Sequence, residues 1–273
     1  MVETGHNAAR HALAAALTAL LLAGAAGAQD GRERAPFVTT PDEVAERMLA
    51  VAGTREDDFV MDLGSGDGRI VIAAAKKVGA RGLGVDIDAR LVALARDNAR
   101  RAGVAGRVAF EERDVLTTDL GRATVVTVYL LPSLLDQLQP KLLAELRPGA
   151  RIVSHAFAMT GWKPDRMETM RIAKPHPGQG DESRIFLWLV PAQVRGSWQG
   201  RDWRLRIAQN FQEIEIEGEV RGRPLVVKEA KLQGAALSFS GEGFEFRGRV
   251  GAGRILGDLQ RGAAASPLVL TRQ

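Results

Sequence analysis

The 273-residue chain contains no cysteine. That excludes disulfides, thiolate zinc sites and a cysteine nucleophile, and it leaves the compartment undecided. Histidine is nearly as scarce, with His6 and His11 in an N-terminal leader and only His155 and His176 beyond it. No histidine cluster has metal spacing, so no bound metal is expected. Aromatic residues make up 5% of the chain, and its 37 Lys and Arg are scattered among 33 Asp and Glu. A nucleic-acid surface wants clustered positive charge and stacking rings, so the net charge of +4 reads as an ordinary solvated surface. No nucleic-acid partner is expected.

Long apolar runs are missing except at the start. In "ARHALAAALTALLLAGAAGAQD", Arg10 and His11 precede an apolar run from Ala12 to Ala26, and Ala26, Gly27 and Ala28 form a small-x-small site. This order predicts a secretory signal over residues 1–28 with cleavage after Ala28, then a linker over 29–35. The run is shorter than the roughly 20 apolar residues of a spanning helix, which makes a permanent anchor the second reading. A mis-assigned start codon ahead of a cytoplasmic protein is the third. The single arginine does not support a twin-arginine signal. The expectation is an exported, periplasmic protein with no stable membrane span once the leader is removed.

From residue 36 to 191 strand and helix patterns alternate. "PDEVAERMLAVAG" places Val44, Met48, Leu49 and Val51 at helical spacing, with Thr40 as cap and Pro41 in the first turn. "DFVMDLG", "RGLGVDID", "RVAFEERD", "RATVVTVYLL" and "ARIVSHAFA" read as strands. The fourth is a continuous β-branched run, suited to a central parallel strand. "PSLLDQLQPKLLAELRPG" reads as a helix that Pro140 should bend or split. "ETMRIAK" and "SRIFLWLV" could pair as a hairpin. Such alternation predicts an α/β parallel sheet with helices on both faces. From residue 194 to 273 the helical period disappears. "WRLRI", "EIEIEGEV", "AALSFS" and "FEFRGRV" alternate polar with apolar residues between glycines, as in an antiparallel β domain, open or rolled into a small barrel. Its roles range from lid or packing partner to a docking site for a partner.

The chemistry concentrates in "DLGSGDGR". Gly64, Gly66 and Gly68 stand at alternate positions between a strand and a helix, where amide N–H groups can face a polar ligand. About twenty residues on, Asp86 ends the second strand, placed to hold ribose hydroxyls. A pyrophosphate would be repelled by Asp62 and Asp67. The sulfonium and ammonium groups of S-adenosylmethionine would not.

Those motifs resemble class I S-adenosylmethionine-dependent methyltransferases over residues 36–191. "VMDLGSGDG" matches the family's first motif, "GVDID" its ribose-binding acid and "ERDVL" its turn near the adenine. The resemblance implies a Rossmann-like seven-stranded sheet and S-adenosyl-L-methionine as cofactor. It implies a cofactor set of Asp62, Gly64, Ser65, Gly66, Asp67 and Gly68 in the loop, with Asp86 and Ile87 at the ribose, and Asp114 and Val115 at the adenine. "PFVTTPDEVAERML", "VYLLPSLLDQLQPKLLAELRPGARIVSHAF" and "GWKP" further resemble protein-lysine methyltransferases acting on the ATP synthase c-subunit, and their bacterial relatives. That narrower resemblance adds Thr39 and Thr40 to the methionine pocket and implies a protein substrate. Phe37 stands where a Tyr is expected in that group, and the N/D-P-P-Y/F signature of amino-group DNA methyltransferases is absent. Tyr129 and Ser133 are placed to orient an acceptor amine, and His155 to accept a proton. Each also has a bland reading: a core aromatic, a helix cap and a buried strand residue. The non-enzymatic alternative is an exported protein that uses the same cleft to bind an adenosine-like or other small ligand.

Overall fold

The computed structural model describes residues 38–173 and 180–273. The leader, its linker, Phe37 and His176 lie outside the described residues. Helix α1 spans Asp42–Val51, and strand β1 follows at Phe59–Leu63. Then come α2 (Arg69–Val78), β2 (Arg81–Asp86), α3 (Ala89–Arg101), β3 (Val108–Glu112), β4 (Val125–Val128), α4 (Pro132–Glu145), β5 (Arg151–His155), β6 (Arg166–Arg171) and β7 (Glu182–Leu189). They build a seven-stranded sheet in the order β3-β2-β1-β4-β5-β7-β6. The first five strands are parallel, β7 runs antiparallel to β5, and β6 pairs with β7 as the expected hairpin.

The residue patterns account for this layering. All four residues of β4 are buried, because helices cover both faces of the central strands. On one face α1 buries Val44, Met48 and Leu49 against Val60, Val125 and Val153. On the other, α4 buries Leu135, Leu138 and Leu142 against Met61, Leu63, Val126 and Ile152. Two local expectations need correction. Thr40 does not cap α1: Pro41 occupies the N-cap position, and the Thr40 hydroxyl bonds His155 instead. Nor does Pro140 split α4, which runs unbroken through it. A proline removes only one backbone donor, and the buried Leu138 and Leu142 on either side keep the helix on the sheet.

The remaining chain forms β8 (Gly196–Gln199), β9 (Trp203–Asn210), β10 (Glu213–Val220), β11 (Arg223–Pro224), β12 (Val227–Gln233), β13 (Ala236–Gly241), β14 (Phe244–Gly251), β15 (Arg254–Arg261) and β16 (Ala264–Arg272). These nine strands make one antiparallel sheet, and it rolls until β10 packs against β12. Trp198, Trp203, Ile207, Phe239, Phe246 and Leu270 share its interior. Of the two arrangements left open by the pattern, it is the barrel.

The barrel joins the parallel sheet at the N-terminal ends of its strands. Gly149, just before β5, donates to the Val190 carbonyl, and Ala192 donates to that of Gly234. A Cβ on Gly234 would lie 2.8 Å from Gly149 Cα, so the two backbones touch. The Trp162 ring stacks on Phe211 at 5.2 Å, and its indole N–H donates to Gln212 at 2.9 Å. The glycine loop leaves β1 at the opposite edge of the sheet. The barrel is therefore no lid over it.

Candidate cofactor and acceptor site

Three strands present acids at the C-terminal edge. Asp62 near the end of β1 is buried and accepts a 2.7 Å hydrogen bond from Thr127 Oγ1 on β4. Burial disfavours its charge and, with the negative Asp86 and Asp67 nearby, outweighs the Thr127 bond, so its pKa is raised to about 7. Asp86, at the end of β2, is held by two backbone donors: Gly66 to one carboxylate oxygen and Asp88 to the other, both at 2.9 Å. Each oxygen keeps a lone pair for a further donor. Ile87 beside it is 48% exposed, an apolar surface next to the fixed carboxylate. Beyond β3, Asp114 accepts from the Leu116 N–H at 2.9 Å, and Val115 is buried.

Between Asp62 and Asp86 runs the loop. Gly64, Gly66 and Gly68 have φ of 82°, 53° and 81°, a region that other residues enter at a cost. At Gly68 a Cβ would lie 2.6 Å from the Phe110 ring, and at Gly64 one would lie 2.9 Å from Leu130. The Gly64 and Ser65 N–H groups both bond the Val85 carbonyl, which pins the loop to β2. Asp62 on β1 and Asp67 in the loop differ in a way their spacing does not reveal. Asp67 is ion-paired with Arg69 at 2.6 Å, whereas Asp62 has no ion pair among the described residues. Ser65 Oγ is buried without a hydrogen-bond partner among the described residues. Such an atom costs the fold about 1–3 kcal/mol. The donor set fits S-adenosylmethionine: a buried acid without an ion pair for its cations, a fixed carboxylate for ribose and an acid-bearing turn for the base.

At the ends of β4 and β5, Tyr129 packs on His155 with ring centroids 4.1 Å apart. His155 is buried, and both ring nitrogens are engaged, Nδ1 with Thr40 Oγ1 and Nε2 with Ser183 Oγ. Burial lowers its pKa to about 4, so it is a neutral imidazole at physiological pH. The structure thus brings Thr40, Tyr129 and His155 together. Thr39 is half-buried beside Thr40, and Ser133 is exposed in the first turn of α4. Sequence reasoning missed Thr127, Ser183 and Phe157, whose partners come from distant strands. Phe157 follows Ala156, which has φ of 66°.

Residues 62–166 match the family described as the ANTKMT methyltransferase domain. A protein-lysine N-methyltransferase of Saccharolobus islandicus is 44% identical over 130 residues, which cover 47% of this chain and 81% of that protein. The chain belongs to this S-adenosylmethionine-dependent methyltransferase family. The human lysine N-methyltransferase of the ATP synthase c-subunit is 32% identical, over 65% of this chain and 69% of the relative. This methyltransferase spans only 58% and 52% of the length of two related mouse lysine N-methyltransferases. Among solved structures, an RNA methyltransferase from Salinibacter ruber in complex with S-adenosyl-L-homocysteine is 46% identical. It covers 57% of this chain and 96% of its own, with a TM-score of 0.52. These matches carry the methyltransferase assignment and the cofactor.

Proposed function

We propose that this methyltransferase modifies a lysine amine of a protein. The observation that carries the reading is the acceptor end of the site. Tyr129 and Phe157 are partly exposed at the ends of β4 and β5, with a buried, neutral His155 beneath Tyr129, so an amine entering there meets aromatic rings. Low polarity favours the unprotonated amine, the form that can attack. When bound, S-adenosylmethionine supplies a methyl group on positively charged sulfur. The acceptor nitrogen gains that methyl and loses a proton to solvent, while the chain positions the amine and excludes water. Asp62, Asp86 and Asp114 would hold the methionine, ribose and adenine ends respectively, with the loop glycines giving backbone access. Thr40 and His155 hold the floor beneath Tyr129.

The names of the Saccharolobus and human relatives support the lysine reading, and family membership favours catalysis over the binding-only alternative. The name of the Salinibacter neighbour supplies the competing acceptor, RNA. Purified protein incubated with tritiated S-adenosylmethionine and a cell extract is expected to label protein, with methyl-lysine in the hydrolysate. Label confined to RNA would overturn the proposal.

We also propose that the protein is exported to the periplasm. The support is the leader's order of basic start, short apolar run and small residues. Since the cofactor is made in the cytosol and the chain would cross unfolded, export requires a supply outside. Mass spectrometry of the native protein is expected to find an N-terminus at Gln29; an intact leader in the soluble cytoplasmic fraction would refute export.

A further inference from the structure

We propose that Phe157 and Tyr129 together form an aromatic surface that receives the alkyl-ammonium end of the acceptor, with the Ala156 turn as the device that presents Phe157. The inference rests on the amine-acceptor reading above and deepens it. The rings lie 6.3 Å apart and are inclined by only 21°, a near-parallel aromatic pair. Both side chains are partly exposed at the C-terminal edge of the sheet. Leu130, next to Tyr129, lies against Gly64 of the cofactor loop, so the acceptor segment and the loop are in direct contact.

The backbone invests in this arrangement. Ala156 adopts a φ of 66°, which residues other than glycine rarely enter, and strain of this kind clusters at functional sites. Three hydrogen bonds hold the turn. Ala156 donates to the Arg184 carbonyl at 2.7 Å, Phe157 N–H to the His155 carbonyl at 2.8 Å, and Ser154 Oγ to the Phe157 carbonyl at 2.6 Å. A relaxed strand would carry residue 157 onward along the sheet. The turn instead brings its ring beside Tyr129. Tyr129 also rests on His155, which Thr40 and Ser183 fix. An ammonium and its methylene stem gain from π-faces in two ways, by cation–π attraction and by apolar contact. The surface holds the alkyl stem while the nitrogen exchanges its proton.

The chain has a single tyrosine, so incorporated 3-fluorotyrosine reports Tyr129 as one fluorine resonance. Titrating n-butylammonium into the full-length protein with S-adenosylhomocysteine present is expected to shift that resonance in a saturable way. Phe157→Ala should weaken the response about tenfold, and Phe157→Trp, which keeps Tyr129 the single tyrosine, should restore it to within about threefold. S-adenosylhomocysteine affinity should be the same in all three proteins, which separates a local effect from a folding defect. A resonance that does not move in the parent protein, or equal butylammonium affinity in Phe157→Ala, overturns the inference. The tritium assay on protein lysine is independent of this titration, so failure of the lysine reading registers there and not here.

Discussion

Asp86→Ala is expected to lower the affinity for S-adenosylmethionine by about a hundredfold to ten-thousandfold. In the proposed role the carboxylate would accept from both ribose hydroxyls, and hydrogen bonds to a charged group contribute about 1.5–3 kcal/mol each, so two together amount to about 3–6 kcal/mol. Its oxygens also hold the N–H groups of Gly66 and Asp88. Removing the carboxyl therefore loosens the loop as well as the ribose contact. Asp86→Asn keeps one acceptor oxygen and should fall between the two. Calorimetry with S-adenosylmethionine, its demethylated product and NAD checks the claim, with no NAD binding expected in any form. Unchanged affinity in Asp86→Ala would mean that the ribose is held elsewhere.

The second large effect concerns Asp62 and has opposite signs for binding and for stability. With its pKa raised to about 7 by burial, much of the carboxyl is protonated near neutrality. A cationic ligand end favours the ionised form, so cofactor affinity should rise between pH 6 and pH 8, by up to about tenfold per pH unit below the pKa. Asp62→Asn should flatten that rise and weaken binding at pH 8 by about 1.5–3 kcal/mol. The ligand-free fold responds differently. A carboxyl whose folded pKa exceeds its unfolded value stabilises fully below the unfolded value, and that contribution is lost as pH climbs through the folded one. From the ordinary value of 3.8 to about 7, the loss is at most about 4 kcal/mol. His155 acts in the other sense, since its contribution is present above 6.5 and lost as pH falls through about 4. The difference in melting temperature between parent and Asp62→Asn isolates the Asp62 contribution. The variant should gain stability relative to the parent as pH rises from 4 to 8. A constant difference across that range would show that Asp62 is not buried as a strained acid.

Much of this site was legible because its signals are local. The glycine spacing, the strand-ending Asp86 and the acid-bearing turn at Asp114 each occupy a few consecutive residues. Pairing across the fold was not legible. Nothing near Asp62 announces Thr127, and nothing near His155 announces Ser183, because strand register makes those neighbours. Thr40 shows the same limit: a threonine ahead of a helix reads as a cap, yet tertiary packing gives its hydroxyl to His155. Asp67 and Asp62 look alike in the motif, and only the fold gives Arg69 to one of them. In the barrel, β8 is four residues long and Pro267 interrupts the pattern of β16, so neither strand stood out. Yet both are needed, since β8 and β16 pair to join the two halves of that sheet.

The opposite placement of barrel and glycine loop separates two surfaces of the molecule. A partner held on the barrel cannot touch the reacting atoms of the same chain without reaching around the sheet. A partner docked there would act on how often an acceptor is met, through effective concentration, and not on the reacting atoms. Substitutions on its outer face would then change which acceptors are met while the residues at the far edge of the sheet stay as they are.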